Sequence, residues 1–71
     1  MSFVVEYKVK DVGKNAKYFR EKAVKMTGID CLVEVHPGLV RFRFVKELSE
    51  KKLKELDSFM KEVADGVRVS S

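Results

Sequence analysis

A chain of 71 residues with 45% apolar and 37% charged side chains is long enough for one folded domain and too short for two, and its apolar share excludes a disordered segment. A single cysteine, Cys31, excludes an internal disulfide; no apolar run reaches the ~18–20 residues that cross a bilayer, and the opening MSFVVEYKVK lacks a signal peptide's long apolar stretch, so a soluble, cytoplasmic protein with no membrane partner is expected. The formal net charge of +4 is uneven: residues 1–27 hold seven basic and three acidic side chains, whereas residues 47–71 are slightly acidic.

The apolar period switches several times along the chain. In residues 2–9, Phe3, Val5, Tyr7 and Val9 alternate with Val4, Glu6 and Lys8, which predicts a strand with one buried face. Asp11 offers a helix N-cap, after which Val12, Ala16, Phe19, Ala23 and Met26 form a helical stripe that Gly28 ends as a left-handed C-cap. Ile29, Cys31, Val33 and Val35 alternate in a second strand up to His36. Pro37-Gly38 supplies a turn, and residues 39–46 return with Val40, Phe42 and Phe44 facing inward. Ser49 caps a second helix whose stripe is Leu53, Leu56, Met60 and Val63, widened by Phe59. Gly66 is its stop signal, and Glu50–Lys54 and Asp57–Lys61 are expected as favourable (i, i+4) pairs. Val67-Arg68-Val69 reads as a short edge strand.

This order of strand, helix, strand, strand, helix, strand is the βαββαβ pattern of a ferredoxin-like α+β fold. It is expected to form a single domain over residues 1–71, with two helices on one face of an antiparallel sheet. The absence of Gln and Trp, with abundant Lys, Arg and Glu, follows the composition of proteins from hot environments. A fold of this kind hosts many functions, so function has to be read from side chains.

Metal chemistry finds no support: a closed site needs three or four ligands, and here there is one Cys, on core parity, and one His. No cofactor and no metal are expected. His36, beside a hairpin turn and on the face opposite the core, has neither the partner nor the cleft a general base needs, so no catalytic residue is assigned. Gly13, Lys14 and Asn15, placed by this reading in the first turn of the first helix, are an anion-binding candidate, because free N–H groups and the helix dipole favour negative charge there. The segment GKNAKYFR (13–20) resembles the phosphate cradle of acylphosphatases, which share this topology. That resemblance would imply binding or hydrolysis of a small phosphate ester, with Arg20 assisting. The family's glycine-rich loop and its second-strand Asn are missing here, so no activity is carried over.

Two basic surfaces are candidates for RNA or DNA. At ~100° per residue, Lys14, Tyr18, Lys22 and Lys25 gather on the helix face opposite the stripe, with Lys17 beside them, pairing phosphate-seeking lysines with a ring on which a base could stack. On the open sheet face, parity places Lys8, Arg41, Arg43 and Arg68 among Glu6, Glu34 and the aliphatics Val4, Leu32, Leu39 and Val45. There the arginines either meet phosphates or form a cross-strand ion-pair lattice, and the aliphatics suit subunit pairing. RFRFV (41–45) also resembles the third strand of RNA-recognition motifs, but outward Phe42 and Phe44 would drive Arg41 and Arg43 into the core, which costs far more than it gains. The leading expectation is a small, non-sequence-specific nucleic-acid-binding module or accessory subunit of a larger protein complex. The alternative is a homodimeric interaction domain, and a phosphate-ester site is a third reading.

Overall fold

In the computed structural model, which describes residues 2–10 and 12–70, six elements follow one another: β1 (Phe3–Lys8), α1 (Ala16–Thr27), β2 (Cys31–His36), β3 (Leu39–Phe44), α2 (Glu50–Ala64) and β4 (Val67–Ser70). The strands form one four-stranded sheet in the order β2-β3-β1-β4, antiparallel at every pairing. The α+β architecture read from the sequence is therefore present, including the short last strand. Among the described residues, no helix is long and apolar enough to cross a membrane.

Strand parity decides which side of the sheet is covered. Val5 sits opposite Phe42 and Tyr7 opposite Val40. These four, with Phe44 and Cys31, are at most 1% exposed. Phe19 and Ala23 from α1 and Leu56, Met60 and Ala64 from α2 complete the same cluster, so both helices lie on that side. Each fully buried Phe, Leu or Val there contributes about 1.5–3 kcal/mol. Phe42 meets Tyr7 and Phe19 edge-on, with ring centroids 5.9 Å and 6.3 Å apart. The hairpin formed as expected, with Gly38 at φ 77° in the turn. Leu48 and Thr27 are also buried, and the Thr27 hydroxyl donates to Ala23 O at 2.7 Å and accepts from the Ile29 N–H.

Several local expectations are corrected. Asp11, expected as the first N-cap, lies outside the described residues; the cap of α1 is Asn15, whose Oδ1 accepts the Tyr18 N–H at 2.9 Å. Gly13 and Lys14 therefore precede α1, and Val12 packs on the core from the connecting segment. At the end of α2 the left-handed residue is Asp65 (φ 50°). Gly66 follows it in a close approach, where an added Cβ would lie 3.2 Å from Met60 O. Neither expected (i, i+4) pair forms among the described residues: Lys61 pairs with Asp65 instead, and Asp57 turns to the sheet.

Arg68 changes sides. It stands opposite Tyr7, on the helix-bearing side, because β4 pairs with β1 in the register Tyr7↔Arg68 and Lys8↔Val67; a one-residue difference in register reverses every side chain of so short a strand. Tyr7 donates its hydroxyl to Asp57 Oδ1 at 2.6 Å, and Arg68 Nη2 lies 3.5 Å from Asp57 Oδ2, so one carboxylate ties β1, α2 and β4 together. Burial, then the bond to Asp57, push the Tyr7 phenol far above its ordinary value of 10.0. A raised pKa of this kind gives stability that is complete below the unfolded pKa and lost as pH rises beyond it. Denaturant melts should show stability falling above about pH 10. Tyr7→Phe should flatten that alkaline slope while costing about 1–2 kcal/mol at neutral pH. Identical alkaline slopes in the two proteins would refute the linkage.

Candidate functional site

Asn15 in extended conformation turns the chain into α1, and the helix then presents two kinds of surface. Phe19, Ala23 and Thr27 go into the core. Lys17, Lys22 and Lys25, with Lys14 just before the cap, are exposed, and none forms an ion pair among the described residues. The lysine nitrogens of Lys14 and Lys22 lie 5.1 Å and 5.8 Å from the centre of the Tyr18 ring, so three of the expected residues do come together.

Tyr18 itself is not the free platform the helical wheel suggested. It is half-buried at the seam between the helices, with its ring 6.3 Å from that of Phe59 and 5.5 Å from Phe19. The reason is α2: Phe59 widens its apolar face and gives the flank of α1 something to pack on. A ring held by Phe59 and two ammonium groups has little face left for a base. What remains is a row of lysines.

The open sheet face behaves differently. Arg41 is held by two carboxylates, donating from Nε to Glu6 and from Nη1 to Glu34 Oε1 at 2.9 Å, across the three strands β1, β3 and β2. These bonds draw Glu34 below the usual carboxylate range and raise Arg41 further. Arg41 is thus a lattice member, whereas Lys8 and Arg43 are exposed without ion pairs among the described residues. Phe42 and Phe44 are fully buried, so the recognition-motif pattern is absent from this face. The exposed large apolar residues Leu32 (66%), Val45 (60%), Val67 (58%) and Val69 (46%) are all on this side by strand parity. Sequence reading put Arg68 on this face; the register Tyr7↔Arg68, Lys8↔Val67, which leaves no mark in composition, puts the two β4 valines here instead.

The anion candidate is dispersed. Asn15 spends its side chain on the Tyr18 N–H. Arg20 is bound to Cys31 O at 2.8 Å and Asp30 Oδ1 at 2.9 Å, where it guards the outer edge of β2. At the opposite end of β2, a half-open cleft of about 460 Å³ lies between Val9, Lys10 and Val12 and the hairpin residues Val35, His36, Pro37 and Gly38. His36 therefore does line a cleft, contrary to expectation. The hairpin tip is drawn to the end of β1, where the Val9 N–H donates to Gly38 O at 3.1 Å, a long-range bond no local signal announces. Lys10 in that cleft is paired with Asp65.

Among the described residues, no group of three or more His, Cys, Asp or Glu side chains could hold a metal ion. No family model, curated protein or solved structure matches the chain, so its geometry alone carries the functional argument. Burial pushes the Cys31 thiol up to about 11, with Asp30 adding to the shift and Arg20 opposing it. At pH 7 roughly 10⁻⁴ of the thiol is ionised. Cys31 should therefore resist an aromatic disulfide reagent at neutral pH and react once the chain is unfolded in denaturant. Rapid reaction of the native protein would contradict the assignment of Cys31 as a core residue.

Proposed function

We propose that this chain is a small ferredoxin-like module that binds RNA or DNA through the lysine row of α1, by phosphate contact and without base recognition. The observation that carries the reading is a contrast. The arginines Arg20, Arg41 and Arg68 are each paired with a carboxylate. Lys17, Lys22 and Lys25 on α1, with Lys14 just before its cap, have none among the described residues, whereas on the open face only Lys8 and Arg43 are left so. Cations left without partners on one surface are free to replace the counterions of a phosphate backbone. The half-buried Tyr18 supports contact through charge more than stacking.

The fold assignment within this proposal rests on the strand order β2-β3-β1-β4 with both helices on one side, which is the ferredoxin-like arrangement. A small-anion reading draws only on the cleft at His36 and has no comparable cluster of free cations.

Fluorescence anisotropy of labelled single-stranded RNA and duplex DNA, measured over a range of salt concentrations, tests the proposal. The log–log salt slope should be about −0.7 to −0.9 per phosphate contact. The triple variant Lys14→Glu, Lys22→Glu, Lys25→Glu should abolish measurable binding, and Arg41→Glu with Arg43→Glu should leave it nearly unchanged. Absence of binding at low salt, or equal loss in both variants, would overturn the α1 assignment.

A further inference from the structure

Independently of the α1 reading, we infer that the open sheet face is the interface of a symmetric homodimer, with a two-fold axis running parallel to the strands between β1 and β3. The face holds the exposed aliphatics Leu32, Val67 and Val69, and no helix covers it. Its charges are nearly balanced: Glu6 and Glu34 against Lys8, Arg41 and Arg43, with Arg41 already bridging the two carboxylates. A surface so nearly neutral has little field with which to attract nucleic acid, and its buried ion pairs would enter the interface with hydrogen bonds already made.

The identity of the occupant follows from register. Glu6 and Arg41 stand directly opposite each other on the two central strands. In an isologous dimer every contact of residue i with residue j is repeated as j with i. An axis parallel to the strands and between β1 and β3 exchanges those two strands, so Arg41 of one copy lies over Glu6 of the other, twice. The same operation exchanges β2 with β4: Val67, level with Lys8 and Leu39, then lies over the His36 end of β2, and Leu32, level with Arg43 and Val4, lies past the end of the other copy's β4 and beside its Val4. An axis crossing the strands at the level of this pair would instead oppose Arg41 to Arg41 and Glu6 to Glu6, a like-charge juxtaposition that disfavours it.

Area is sufficient. A full face of a body measuring 28 × 20 × 19 Å projects roughly 400–550 Å², and side-chain relief carries this to the lower range of standard interfaces, about 600–800 Å² per partner. A dimer of this form leaves both α1 helices on its outer sides, so it does not compete with the proposed nucleic-acid surface.

Sedimentation of the full chain from about 1 μM to about 1 mM should show a concentration-dependent dimer. Leu32→Glu and Val69→Glu, both at exposed positions, should raise its Kd about 30-fold or more, while Lys51→Glu on α2 should not. Circular dichroism melts keep any loss of folding visible. The charge pairing across the face is tested by exchange: Glu6→Arg alone and Arg41→Glu alone should each be monomeric, and mixing the two should restore a mixed dimer. A monomer at the highest concentration, a dimer indifferent to Leu32→Glu, or a mixture that fails to pair would overturn the inference. So would a monomeric chain whose RNA affinity falls with Leu32→Glu, which would assign the face to nucleic acid.

Discussion

The pairing of β1 with β3 sets Val5 against Phe42 and Tyr7 against Val40 on one face, and the same register sets Glu6 against Arg41 on the other. Both consequences follow from the two-residue period of a strand. Once the apolar side is fixed, the helices have only one place to bury Phe19, Ala23, Leu56 and Met60, and they pack there together. The polar side then has no cover. Its central arginine is tied by carboxylates from both neighbouring strands, which keeps Arg41 half-buried and ordered without any helix above it. A slip of one residue between β1 and β3 would turn one strand over relative to the other, setting Glu6 or Arg41 into the core and separating the pair, so the core and the charge lattice specify the same register.

That coupling explains how much of the molecule could be read from the chain. The hairpin, both helices and the inward set from Val5 to Phe44 were legible because their periods are long and clean. The failures lie where the signal is short or where a tertiary partner decides. Residues 67–69 cannot reveal their own register, and the pairing of Arg68 with Tyr7 and of Val67 with Lys8 puts Arg68 on the helix side and Val67 and Val69 on the open face. Asp57 looked like a helix-surface partner of Lys61. The buried Tyr7 hydroxyl needed an acceptor more than Lys61 needed a counterion, and Asp57 supplied it. Among the site candidates, the exposure of the lysines was legible from the helical wheel, but the retreat of Tyr18 to the helix seam was not, because it depends on Phe59, forty-one residues further along.

The two edges of the sheet are treated unequally, and this bears on how the chain meets others. At β2, Arg20 occupies the carbonyl of Cys31 and Asp30 accepts the Cys31 N–H, so an incoming strand would have to displace side chains already bonded there. At β4 the protection is brevity: the strand has four residues. Extension of the sheet edge by edge is thus discouraged on one side and short on the other, whereas the face retains its full extent. Association through the face uses surface that edge protection does not touch.

The placement of the lysines is the least economical feature of the fold, and that makes it informative. The first turn of α1 contains no acidic residue, and Lys17 sits in it with Lys14 just ahead of the cap. Cations at a helix N-terminus oppose the macrodipole by about 0.3–1 kcal/mol each. In α2, Glu50 opens the first turn beside Lys51 and Lys52, and Lys61 stands in the last. Among the described residues no carboxylate pairs with these lysines, and the ring of Tyr18 is the one group that meets Lys14. A local rule broken without a local gain points to a use outside the fold. Phosphate groups docked along α1 would neutralise Lys14 and Lys17 and meet the positive end of the helix at once, turning an unfavourable arrangement in the free chain into a favourable one in the complex.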